Sequence, residues 1–156
     1  VTPFLIYALP RSGTAWLATF LDVPHEPLAD MSAETLVERL HDGHYAGAVD
    51  TSAYRLLPPP KGVRCFRLER DPAEIMVSSA RFGLIIDAVA EQDLLRKSTP
   101  DATVLKHENF GDTQYLTLLW SLTRGGQMPE RVAQFSEMRI ERDVHKFLRK
   151  RGCILN

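Results

Sequence analysis

Phe4-Leu5-Ile6-Tyr7-Ala8-Leu9-Pro10-Arg11-Ser12-Gly13-Thr14-Ala15-Trp16-Leu17 decides the fold. Residues 3–9 form a nearly continuous apolar run, the pattern of a strand buried on both faces, as in a parallel sheet. Pro10 and Gly13 break the run, and Trp16, Leu17, Phe20 and Leu21 then follow at helical spacing up to Asp22, before Pro24. Strand, tight turn and helix in this order make a unit that cradles phosphate-like anions. The first N–H groups of a helix have no intrahelical acceptor, and the helix dipole favours negative charge there. Arg11 adds a fixed positive charge to the turn and Thr14 a hydroxyl donor.

Downstream, Val23-Pro24-His25-Glu26-Pro27-Leu28 is forced into an extended path by its two prolines. Ser32 caps a helix through Leu36, Val37 and Leu40 that Gly43 closes. Tyr45–Asp50 reads as a second strand, and Pro58-Pro59-Pro60 as a stiff surface connection. Gly62 opens a third strand, Val63–Leu68. It runs into Asp71-Pro72-Ala73-Glu74, where an N-cap, a first-position proline and a glutamate three residues on predict a capping box. That helix reaches Ser78, Ser79 and Arg81. A further helix is expected from Leu84 to Lys97, packing through Ile85, Ala88, Val89 and Leu95. Thr103–Lys106 is a fourth strand candidate. Asp112 caps a helix through Leu116, Leu119 and Trp120, Gly125-Gly126 stops it, Pro129 opens another, and Asp143 caps the last. Strands alternating with helices indicate an α/β fold. The expectation is a three-layer arrangement over residues 1–156, a single domain with a mainly parallel β-sheet flanked by helices, P-loop-NTPase-like. Ligands in such sheets bind at the carboxyl ends of strands, where the 10–16 and 69–72 turns both fall.

The 156 residues are 44% apolar and 25% charged, with a formal net charge of −1. This is ordinary globular usage, and it gives no general attraction to nucleic acid or to an anionic membrane. Any anion site must therefore be local. Cys65 and Cys153 are too few for a disulfide framework and read as inert thiols. No apolar run approaches the ~18 residues of a membrane span. Nor do the first residues read as a basic region followed by an apolar signal core. The expectation is a cytoplasmic domain. His41 and His44 flank Gly43 without ligand spacing, so no metal site is read there.

Set against the nucleoside-triphosphatase loop G-x-x-x-x-G-K-[ST], Ala8 occupies the first glycine position and Thr14 the lysine position. Asp50 is the best remaining candidate for a magnesium ligand, although a strand-end aspartate is more often a cap or turn residue. Arg11-Ser12-Gly13-Thr14-Ala15-Trp16 instead resembles the first motif of the sulfotransferases, which use 3′-phosphoadenosine 5′-phosphosulfate (PAPS). Their second motif, an arginine at a strand end with a proline two and a serine eight residues later, is matched by Arg70, Pro72 and Ser78. The match covers about residues 3–20 and 62–82, and Ala15 departs from it where a hydroxyl residue is usual. Larger sulfotransferases are also nearly twice as long as this chain, so acceptor-binding segments are missing or much reduced.

The resemblance implies that the amides of Ser12, Gly13, Thr14 and Ala15, the Thr14 hydroxyl and Arg11 bind the 5′-phosphosulfate. It further implies that Trp16 stacks on the adenine and that Arg70 and Ser78 grip the 3′-phosphate. PAPS is then the donor and 3′,5′-bisphosphoadenosine (PAP) the product, with a small molecule, a glycan or a peptide as acceptor. Sulfuryl transfer needs a base for the acceptor proton and positive charge on the leaving oxygen; it requires no metal in principle. Arg11 supplies the charge. Glu26 is the chosen base, with His25 as runner-up and orienting partner. His107-Glu108 is a further pair, read as structural. The basic run from His145 to Gly152 faintly resembles a late family segment at the 3′-phosphate, and more ordinarily reads as the cationic last turn of a helix. Two alternatives stay open: a non-catalytic protein that binds the bisphosphorylated nucleotide, and a P-loop kinase of small molecules.

Overall fold

A computed structural model describes residues 1–137. Its centre is a four-stranded parallel sheet of β1 (Phe4–Ala8), β2 (Gly47–Asp50), β3 (Arg64–Glu69) and β4 (Thr103–Lys106), in the order β2-β1-β3-β4. All five residues of β1 are fully buried, which is why its run is apolar without alternation. β1 and β2 approach closely at Phe4, which is paired with Gly47; a Cβ on Gly47 would lie 2.4 Å from the Phe4 ring.

Alternate residues of β1 feed two cores. Phe4, Ile6 and Ala8 pack with Trp16, Leu17, Phe20 and Leu21 of α1 (Thr14–Leu21). The same core takes Leu116, Leu119 and Trp120 of α6 (Thr113–Thr123) and Val132 and Phe135 of α7 (Glu130–Ser136). Leu5, Tyr7 and Leu9 face the other layer: α2 (Ala33–His41), α3 (Ala53–Leu56), α4 (Pro72–Ala80) and α5 (Ala88–Ser98). Helices on both faces of a parallel sheet make the expected α/β layering. No helix among the described residues is long and apolar enough to cross a membrane.

The helix starts follow the cap chemistry. Ser32 accepts from the Thr35 amide, Asp71 from Ala73, and Asp112 from Gln114 and Tyr115. The capping box at α4 is only half present, because Glu74 pairs with Arg70 at 3.0 Å. The helix expected from Leu84 begins at Ala88 instead, where Asp87 accepts from the Ala90 amide. Ile85 is fully exposed and Val89 is 57% exposed, so the packing rests on Ala88 and Leu95. α3 has no counterpart in the sequence reading. Strand ends move by one or two residues, as in β2, which starts at Gly47 rather than Tyr45. Asp143, the basic run 145–152 and Cys153 lie outside the described residues.

The strand order sets the site. From β1 the chain leaves for β2 on one side, and from β3 it leaves for β4 on the other. From adjacent carboxyl ends the two loops lead to helices on opposite faces, α1 on one and α4 on the other, which is the topological switch point of a doubly wound sheet, where such folds bind ligands.

Candidate functional site

Residues 9–13 leave β1 at that switch point. Pro10 withholds a backbone donor, and the chain then turns through two left-handed residues, Arg11 (φ 63°) and Gly13 (φ 84°), to aim α1 at the switch point. Glycine takes this conformation without strain, whereas arginine does not. The N–H groups of Thr14, Ala15 and Trp16 open α1 and have no intrahelical acceptor. Ser12 is fully buried, and its Oγ has no hydrogen-bond partner among the described residues. A buried hydroxyl left this way costs on the order of 1–3 kcal/mol.

Two clusters flank the loop. On the β3 side, Arg70 follows the last strand residue and its Nη1 donates to the Arg11 carbonyl at 2.8 Å. Arg11 Nε donates to Ser78 Oγ at 3.1 Å, a contact between residues 67 apart in sequence. The Arg11 guanidinium also lies 3.9 Å from the centroid of the Phe82 ring, which holds its plane. The structure therefore brings Arg11, Arg70 and Ser78 together.

On the β2 side, Pro24-His25-Glu26 runs parallel to β2. The Glu26 amide donates to the Val49 carbonyl at 2.9 Å, and the Val49 amide donates to the Pro24 carbonyl at 3.0 Å. His25 Nε2 is then 3.0 Å from Thr14 Oγ1 and 3.4 Å from Glu26 Oε1. The other Glu26 oxygen accepts from the Thr51 hydroxyl at 2.9 Å. Glu26 is left-handed at φ 56°, so among the described residues two of the three non-glycine positions with positive φ are Arg11 and Glu26. Such residues cost about 1–3 kcal/mol and persist only where the surroundings hold them.

One sequence expectation changes here, and another holds. Trp16 does not offer a face to a nucleobase: it is 1% exposed and stacked against the rings of Phe20, Phe110 and Phe135 at 5.3–5.4 Å. Its helical spacing placed it in the core with Leu17 and Phe20. Asp50 is fully buried and committed to the backbone, with Oδ1 accepting from the Ser52 and Ala53 amides and Oδ2 from the Leu28 amide. It acts as the turn and cap residue that a strand-end aspartate most often is. Thr51, a neighbour of Glu26, escaped the sequence reading; a hydroxyl at a strand end is too common a feature to signal itself.

Beyond Arg70, a cleft of about 310 Å³ lies at the carboxyl ends of β3 and β4. Glu69, Arg70, Gln92, Arg96, Lys106 and His107 are among its lining residues. Glu69 bridges Arg67 and Arg96 at 3.1 and 2.7 Å, and its carboxyl is held below the usual range, first by the Arg96 hydrogen bond. His107 tilts against Phe110 in the short 3₁₀ turn His107–Gly111.

No protein-family model, no curated protein and no solved structure gives a significant match to this chain.

Proposed function

We propose that this chain is a sulfotransferase domain that moves a sulfuryl group from PAPS to a hydroxyl or amine acceptor, releasing PAP. One observation carries the reading. The two anion-binding motifs, separated by more than 50 residues, meet at the switch point through the Arg70–Arg11 and Arg11–Ser78 hydrogen bonds. A nucleotide bearing a phosphate at each end needs two anion subsites a ribose apart, and a shared arginine cluster beside a helix N-terminus suits that need. The loop then acts as a P-loop-like cradle for the 5′-phosphosulfate, through its amides from Ser12 to Ala15, the Thr14 hydroxyl and Arg11. Arg70 and Ser78 take the 3′-phosphate. With Trp16 in the core, the adenine would extend past Arg70 into the 310 Å³ cleft, whose size suits a nucleoside.

The reaction in this site is a direct displacement. The acceptor oxygen or nitrogen bonds to sulfur as the bond from sulfur to the bridging phosphate oxygen breaks. The acceptor proton passes to the Glu26 carboxylate, and Arg11 stabilises the charge gathering on the leaving phosphate. His25, between Thr14 and Glu26, keeps the base beside the anion loop.

A kinase reading has less support, because Thr14 stands at the lysine position and the Asp50 oxygens already accept three backbone N–H groups. The test is a PAPS-dependent transfer screen over phenols, sugars, amines and peptides. Wild type should transfer, and Glu26→Gln should fall about 10²-fold or more in kcat. Equal rates for the two would remove Glu26 as the base.

A further inference from the structure

We infer that Thr51 is a positioning residue that determines which oxygen of Glu26 acts as the base; this rests on the reading of Glu26 given under Proposed function. The carboxylate has two oxygens and the structure treats them differently. Oε2 accepts the Thr51 hydroxyl at 2.9 Å, whereas Oε1 faces His25 Nε2 at 3.4 Å, on the side of the Thr14 hydroxyl. One lobe is clamped. The other is turned toward the anion loop, and that oxygen takes the proton.

The clamp has a rigid mounting. Thr51 follows directly after β2, and its neighbour Asp50 ties the turn down. Asp50 Oδ1 accepts from the Ser52 amide at 2.7 Å and the Ala53 amide at 2.9 Å. Asp50 Oδ2 reaches across to the Leu28 amide at 2.9 Å, in the segment that carries Glu26. One buried carboxylate thus joins the Thr51 turn to the Glu26 loop. The Glu26 backbone is held separately by the Val49 carbonyl, which maintains its left-handed conformation. With both backbones fixed, the remaining freedom is rotation of the Glu26 side chain; His25 lies at 3.4 Å from Oε1, and the Thr51 hydroxyl at 2.9 Å from Oε2 is the closer restraint that sets which oxygen stays free. A Thr51–Glu26–His25–Thr14 line then connects the end of β2 to the first residue of α1. Orientation of a reacting group to within a fraction of an ångström controls the chemical step more than it controls binding.

The test uses the intact chain with PAPS, following PAP release with and without a mixture of phenols, sugars and amines, alongside calorimetry with PAP. Thr51→Val keeps the shape and removes the hydroxyl. It should lower kcat about tenfold while PAP affinity stays within about twofold. Thr51→Ser should recover most of the loss, and Thr51→Ala should behave like Thr51→Val. In a Glu26→Gln background, Thr51→Val should cause no further loss, because the two act as one unit. An unchanged kcat in Thr51→Val, a full additional loss in the Glu26→Gln background, or a parallel drop in PAP affinity would each overturn the positioning role while leaving the transferase reading in place. Absence of turnover in the wild type would instead overturn that reading, and this inference with it.

Discussion

Replacing Trp16 separates a core residue from a ligand residue, and the two roles predict opposite patterns. The side chain is 1% exposed and stacked on Phe20, Phe110 and Phe135. Truncation to alanine removes most of this packing and leaves a cavity, so Trp16→Ala should cost about 3–5 kcal/mol. That is a large share of the roughly 5–15 kcal/mol available to a domain. Trp16→Phe should behave differently. It keeps one ring in the stack and loses contacts worth about 1–2 kcal/mol. It also deletes the buried Trp16 Nε1–H, which has no acceptor among the described residues, and this offsets about 1–2 kcal/mol. The net change for phenylalanine should therefore lie within about 1 kcal/mol of zero. Urea unfolding followed by far-UV circular dichroism measures both variants, and Trp120, the other of the two tryptophans, reports by fluorescence. PAP affinity of the folded variants should match wild type. A stacked base is worth about 1–3 kcal/mol, or roughly 5–150-fold in affinity. A stable Trp16→Ala protein that loses that much affinity would refute the core assignment.

Asp50→Ala should destabilise the fold by about 3–5 kcal/mol, because it leaves the amides of Leu28, Ser52 and Ala53 without their acceptor; a change below about 1 kcal/mol in urea unfolding would show that the staple is dispensable. Stability should also fall in acid. The Glu69 and Glu91 carboxyls sit below their ordinary range in the folded chain, Glu69 chiefly through Arg96 and Glu91 chiefly through the Tyr54 hydroxyl. Their contribution is complete above the unfolded value of about 4.3 and is lost as pH falls through the lower folded value. Glu69→Gln should flatten the acid limb of a pH series of unfolding midpoints, and an unaltered limb would contradict the assignment.

Much of the fold was legible because the decisive signals are local. An apolar run of strand length followed by Pro10 and Gly13 needs no tertiary information to read as strand, turn and helix, and the Ser32, Asp71 and Asp112 caps announce their helices in the same way. Reading failed where the outcome depended on packing across the fold. Apolar spacing through Ile85 and Val89 resembles a buried face, but periodicity does not say which face meets the sheet, and both residues point to solvent. α3 is specified by the Asp50 carboxylate gathering the Ser52 and Ala53 amides, not by any period. Trp16 belongs at once to a motif and to an apolar helix face, and the surrounding phenylalanines decided between them. In the site, Arg11 and Arg70 sit at recognisable strand-to-helix turns, whereas Ser78, inside α4, is legible only through the resemblance of the Arg70–Pro72–Ser78 spacing to the second sulfotransferase motif. Thr51 carries no such signal: it reaches Glu26 only because residues 24–26 run beside β2.

The central claim is that the switch point holds a nucleotide phosphorylated at both its 3′ and 5′ ends. Calorimetry on one preparation, titrated separately with PAP and with ATP–Mg²⁺, tests it most directly. PAP should bind more tightly, and Arg70→Ala should weaken PAP by about 10–150-fold, the loss of a charge-assisted hydrogen bond of about 1.5–3 kcal/mol. Tighter binding of ATP–Mg²⁺, or PAP affinity indifferent to Arg70, would contradict the claim.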